Sequence, residues 1–200
     1  MAIFDVMLLI IFLSSVIIED IWLKCRANPT YAMAYFYFTD KERPEDLVRS
    51  MINQFSAQCK NTPDVLVKLY EQCRTDRRQP SAKDLMMALQ LIIQGFERAY
   101  IVLDALDECA ERMRLLDVAE EIISWKPERL HVLATSRRER VFMDRLEPRA
   151  AATFDIQNLI REDIRIYVHG RLSSQFATKT WLSKVQHTIE NRLIEDADGM

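Results

Sequence analysis

Only three glycines occur in the 200 residues, Gly95, Gly170 and Gly199. A chain so poor in glycine has little material for tight phosphate-binding loops, which need a backbone free of Cβ atoms. Charge of one sign is lacking too. The 27 basic residues nearly balance the 30 acidic ones, for a formal net charge of −3, so no global field draws the chain to nucleic acid or to an anionic membrane. Clustered metal ligands are missing: Cys25, Cys59, Cys73 and Cys109 stand far apart, with no C-x-x-C pair. That spacing excludes the common zinc and redox signatures and leaves reduced thiols in a cytosolic protein as the expectation. His131, His169 and His187 are isolated and read as surface or packed residues.

A long apolar run is present but short of a span. Val6 to Ile18 is 13 residues, against the roughly 20 that a spanning helix needs. Asp5 precedes it and no Lys or Arg occurs before Lys24, so the basic region of a signal peptide is absent. The run reads as core, and a membrane anchor is the weaker alternative. A hydrophobic fraction of 49% is enough for a sizeable buried interior.

Strands and helices alternate along the chain. Leu13 to Cys25 reads as a helix and Ala32 to Phe38 as a buried strand. Pro44 opens a helix with Leu47, Val48, Met51, Ile52 and Phe55 on one face, and Pro63 opens another to about Arg74. Ser81 caps the next, with Asp84 in its first turn and Leu85, Leu89, Ile92, Ile93 and Phe96 inward; its Leu85-Met86-Met87 run reads as helix core. Tyr100 to Leu103 and Leu130 to Ala134 are unbroken apolar runs, as in parallel strands covered on both faces. Between them lies a helix with Leu115, Leu116, Ala119, Ile122 and Ile123 inward. Thr153 to Ile156 is a candidate further strand, and Glu162 to Phe176 and Lys179 to Ile194 read as helices. The fold class is therefore α/β, an open and mainly parallel sheet with crossover helices and a helical carboxy-terminal appendage.

The chemistry concentrates in Tyr100-Ile-Val-Leu-Asp-Ala-Leu-Asp-Glu-Cys109. One buried strand delivers Asp104, Asp107 and Glu108 to its carboxyl end, where open α/β sheets bind ligands. A carboxylate there can hold Mg²⁺, which is hard and takes oxygen donors, and a neighbouring acid can orient or deprotonate a water. Asp104 is the metal candidate, and Glu108 and Asp107 are the catalytic candidates. The alternative is a solvated acidic turn that caps the following helix.

The string Leu103-Asp-Ala-Leu-Asp-Glu-Cys109 resembles the Walker B signature of the NACHT NTPases found in fungi, whose core is also described as nephrocystin-3-like. Leu13-Ser-Ser-Val-Ile-Ile-Glu-Asp20 resembles the helix after that family's P-loop, Ala34 to Phe38 its second strand, and Leu130 to Arg138 its sensor strand. The resemblance implies a P-loop NTPase-like core over residues 13–157, the start of a helical module over 158–200, and Mg-ATP or Mg-GTP as cofactor. It implies sensor roles for Ser136 and Arg137, which guanidinium–phosphate pairing permits. Arg137, Arg138 and Arg140 can equally be an exposed turn paired with nearby acids. The resemblance further implies a signalling protein of the STAND type, with protein partners or self-association and commonly with ankyrin or WD repeats beyond the core.

One element of the pattern is missing. A P-loop needs G-x-x-x-x-G-K-[ST], whose backbone N–H groups and lysine cradle phosphates, and the sequence contains no such run. Met1 to Phe12 occupies its place, able to pair as a strand or to extend the helix. Without a first strand, Leu103 and Leu133 are expected to face a gap. Weak or absent hydrolysis is the expectation, with a nucleotide-free interaction module as the rival reading.

Overall fold

The computed structural model describes residues 2–125, 128–154 and Thr188, with side-chain surroundings from Ser14 onward. The chain divides into two compact units, Ser15–Ala150 and the pair Met1–Ser14 with Ala151–Met200. The second unit lies mostly outside the described residues, and the sheet with the helices packed on it lies within the first.

The element order is α1 (Ala2–Ala27), β1 (Tyr31–Tyr37), α2 (Pro44–Ala57), α3 (Asp64–Asp76), α4 (Ala82–Gln94), β2 (Arg98–Asp104), a 3₁₀ turn (Leu106–Glu108), α5 (Arg112–Ile123), β3 (Leu130–Ala134), α6 (Arg140–Leu146) and a second 3₁₀ turn (Glu147–Arg149). The three strands form one open parallel sheet in the order β1-β2-β3. Ala34 lies beside Ile101, and Ile101 beside Val132. The mixed α/β class and the parallel, open sheet agree with the alternation of apolar runs and amphipathic segments in the sequence.

Local chemistry accounts for the element boundaries. Pro44 stands at the start of α2, where its missing N–H costs nothing, and the Asp46 carboxylate accepts the Arg43 N–H at 3.0 Å. Ser81 and Asp84 form a reciprocal capping box on α4. Left-handed Arg77 ends α3.

The main core cluster lies on one face of the sheet, and Met33 and Val102 are buried on the other. Ala32, Ala34 and Phe38 of the first strand region and Ala99, Ile101 and Leu103 of the second pack with Leu47, Met51 and Phe55 of α2, Leu85 and Leu89 of α4, and Leu115 and Leu116 of α5. Small alanines on the sheet leave room for the large side chains of the helices, which is how interiors reach close packing. Across the opposite face Tyr31, Tyr100 and His131 form a ladder of rings, Tyr100 stacked on His131 with centroids 5.1 Å apart.

Several expectations change. Of the two readings left open for Ile3 to Phe12, helix extension is the one found, since α1 begins at Ala2. The apolar run is not simply core: Val16 is 50% exposed and Ile17 and Ile18 are half-buried. No helix among the described residues is long and apolar enough to cross a membrane. Leu103 faces no gap, at 1% exposure, since β1, β3 and the helices enclose β2; Leu133 is half-buried. Met86 is in the core but Met87 is exposed, its neighbour in sequence lying about 100° around the helix. Thr153 and Phe154 are irregular rather than strand, and the rest of that candidate lies outside the described residues. So do the two carboxy-terminal helices, apart from Thr188, which is helical.

Candidate functional site

The buried strand β2 ends on Asp104, whose side chain is 4% exposed. A carboxylate that deep must be hydrogen-bonded to be tolerated. Its partner is the Thr135 hydroxyl, 2.6 Å from Asp104 Oδ1. The parallel register sets this up: Leu103 lies beside Ala134, so the next residue of each strand falls side by side. Thr135 Oγ1 also accepts the Ala105 N–H at 3.0 Å, and its carbonyl accepts the Leu106 N–H at 3.0 Å. One threonine therefore fixes both the carboxylate and the backbone that leaves it.

That backbone turns sharply. Ala105 adopts φ 57°, ψ 50°, a left-handed conformation that a residue with a Cβ adopts at a cost. The reversal starts the Leu106–Glu108 turn, which buries Leu106 and Asp107 and leaves Glu108 half-exposed. Cys109 comes next, in the core, with its Sγ 3.7 Å from the Glu42 carbonyl. Burial pushes the Cys109 thiol up, so it is a packing residue rather than a nucleophile.

Asp107 is engaged as well. Its Oδ1 accepts the Arg137 backbone N–H at 2.9 Å, its Oδ2 lies 3.2 Å from Arg137 Nε, and its carbonyl accepts Arg112 Nη2 at 2.8 Å. Arg112 in turn pairs with Glu139 at 2.6 Å. The turn after β2 and the loop after β3 are thus bound together at the carboxyl edge of the sheet. Tyr37 closes the same edge from β1. Although Tyr37 is 39% exposed as a residue, desolvation of its phenol pushes it up, against the hydrogen bond it shares with Ser15, and the Asp104 charge adds to the rise.

The predicted residues therefore divide. Asp107 and Arg137 are in contact, with Glu108 on the same turn as Asp107, whereas Asp104 is held separately by Thr135; Ser136 is exposed on the loop between Thr135 and Arg137. Arg137 pairs with an acid of the neighbouring turn, and exposed Arg140 pairs with Asp144 at 3.4 Å. Thr135, Arg112 and Tyr37 were not among the sequence candidates. Thr135 directly follows the second apolar run, but its place beside Asp104 is set by the register of the strands, and the contact of Arg112 likewise needs the fold. Among the described residues no three His, Cys, Asp or Glu side chains form a group that could hold a metal ion alone.

The family model for the nephrocystin 3 N-terminal domain matches residues 11–137. The chain belongs to this family. The match runs from within α1 through both strand ends, so Asp104, Asp107, Glu108, Thr135, Ser136 and Arg137 lie inside the nephrocystin 3 N-terminal region, and Glu139, the partner of Arg112, falls just beyond it. No curated protein and no solved structure gives a significant match.

Proposed function

We propose that this nephrocystin 3 N-terminal domain is a nucleotide-binding regulatory module of the NACHT and STAND type, in which Mg-ATP or Mg-GTP is read at the carboxyl edge of the sheet. The observation that carries the proposal is Asp104, a buried carboxylate at the end of the central strand, held by Thr135 and followed within one turn by Asp107 and Glu108. Mg²⁺ is usually bound by one or two carboxylates together with substrate phosphates rather than by an all-protein cage, and Asp104 suits that part. In this reading Glu108 would orient a water, with Asp107 beside it. Ser136 and Arg137 on the adjoining loop are the sensor candidates.

The phosphate side of the site fits less well. The sequence has no G-x-x-x-x-G-K-[ST] run, and Arg137 spends its Nε on Asp107. Binding without efficient hydrolysis is the consequence, since one lost oxyanion donor alone costs about 2.7–4 kcal/mol in catalysis. The same two observations favour the second reading, a protein-interaction module that works without nucleotide. In either case the partners are proteins or further copies, with nucleic acid and membrane disfavoured.

The test is equilibrium binding of fluorescent ATP and GTP analogues with and without Mg²⁺, with Asp104→Asn and Thr135→Val beside the parent. Magnesium-dependent binding by the parent, lost in Asp104→Asn and weakened at least several-fold in Thr135→Val, is the expected result. No binding at millimolar nucleotide would sink the switch and leave the interaction module.

A further inference from the structure

An exposed edge strand offers unpaired N–H and C=O groups to any other strand, and natural proteins cover such edges. The outer edge of β1 is covered in an unusual way. Gln58 Oε1 accepts the Met33 N–H at 3.1 Å while Gln58 Nε2 donates to the Met33 carbonyl at 2.7 Å. One helical turn earlier, Gln54 Oε1 accepts the Tyr35 N–H at 3.0 Å and Gln54 Nε2 donates to the Tyr35 carbonyl at 2.8 Å. A primary amide offers one acceptor and two donors, so each glutamine answers both groups of one residue as a neighbouring strand would. The spacings match: residues four apart stand one above the other on α2, and residues two apart on a strand direct their backbone groups the same way. The amides are themselves braced, since Gln54 Nε2 also donates to Ser50 Oγ at 3.0 Å and Gln58 Nε2 to the Gln54 carbonyl at 2.9 Å. At the strand's start, the Tyr31 N–H goes to the Asn28 carbonyl at 2.9 Å.

From this geometry we infer that Gln54 and Gln58 form a side-chain surrogate strand that keeps β1 from pairing with β1 of a second copy of this chain. The second copy is the fitting occupant because an uncovered β1 would be self-complementary. Two such edges pair antiparallel about a two-fold axis, with exposed Tyr35 and Tyr37 on both sides of the junction to add cross-strand aromatic contacts. Neither glutamine belongs to the nucleotide site, so the inference stands apart from the proposed function.

The experiment uses the full chain and two double variants. In Gln54→Ala/Gln58→Ala the edge is bare. In Gln54→Glu/Gln58→Glu the donors are lost, but like charges guard the edge against a second copy. Molar mass is measured by light scattering across a concentration series, together with stability and with hydrogen exchange of the Met33 and Tyr35 amides. The expected result is a doubling of mass relative to the parent for the alanine variant alone, with those two amides protected in the dimer and fast in the monomer. Association of both variants to the same degree would mean general loss of fold and would overturn the inference, as would an alanine variant with the parent's mass. Should either variant fail to fold, the parent still decides: unprotected Met33 and Tyr35 amides would show that the amide bonds do not guard the edge.

Discussion

At the scale of single residues, the site is built by two unlike devices, a hydrogen bond that satisfies a buried charge and a backbone conformation that costs energy. Thr135 supplies the first and Ala105 the second. Left-handed backbone in a residue with a Cβ persists only where its surroundings over-determine it. Here the surroundings are the Thr135 hydroxyl on the Ala105 N–H and the Thr135 carbonyl on the Leu106 N–H. The two substitutions that separate backbone strain from side-chain packing are therefore informative. Ala105→Gly removes the steric cost but loosens the unfolded chain, and the two effects, each of order 1 kcal/mol, offset; urea unfolding should show a change close to zero. Ala105→Val places a β-branched side chain in the same conformation and should lose about 1–3 kcal/mol. A valine variant as stable as the parent would mean that the turn after Asp104 relaxes, and with it the placement of Asp107 and Glu108.

At the scale of elements, the start of α4 shows what a local signal can and cannot reveal. Ser81 and Asp84 announce a capping box in the sequence, and both halves of it form. Arg78 adds what the sequence did not declare: its Nη1 lies 2.9 Å from Asp84 Oδ2. That guanidinium first, and then the Ser81 N–H and hydroxyl, hold the Asp84 carboxyl down at about 2, below its usual 3.8. A carboxylate with a depressed pKa stabilises the fold above its unfolded value and loses that contribution as protons bind. The contribution of Asp84 is thus complete above about pH 4 and disappears between about pH 4 and pH 2. Unfolding across that window should be less steeply pH-dependent in Asp84→Asn than in the parent; equal slopes would show that Arg78 does not reach the carboxylate in solution.

The same scale explains which elements were legible. β3 was readable to the residue, and α2, α4, α5 and β2 within a few, because each carries an apolar stripe or run with a stop signal beside it. α6 was missed. It is seven residues long, buries only Phe142, and is held by Arg145, which reaches Glu120 of α5 at 2.6 Å and Asp117 at 2.9 Å. No periodicity exists in so short a helix, and its partners lie more than 20 residues away. The carboxylates of the site were legible for the opposite reason, since a strand that ends on an acid writes its own position. Thr135 and the two edge glutamines look ordinary in sequence, and their meaning comes only from the register that sets a second strand or helix beside them.

At the scale of the molecule, the sheet and α3 stand at the two ends of a range of local stability. Ile101, Val102 and Leu103 are between 0% and 1% exposed, with a strand paired on each side, so their amides open only when the whole unit unfolds. In α3 the buried set is Cys73 alone, while Tyr70 is 66% and Val67 43% exposed. Val65, Leu66 and Leu69 pack on the core only partly buried, and with so little fully buried surface α3 is expected to exchange by local opening. Leu103→Ala removes a buried side chain from the junction of β2 with the helices and should cost about 2–5 kcal/mol, a large share of the roughly 5–15 kcal/mol that is typical of a domain. Native-state hydrogen exchange would read the result in two places at once. If β2 and the helices that pack on it form one cooperative unit, protection at Ile101 and at Leu89 of α4 falls by the same free energy, and protection in α3 does not change. A loss confined to β2 would mean that the sheet opens apart from its helices, and the carboxyl edge with Asp104 would then be able to rearrange without unfolding the rest.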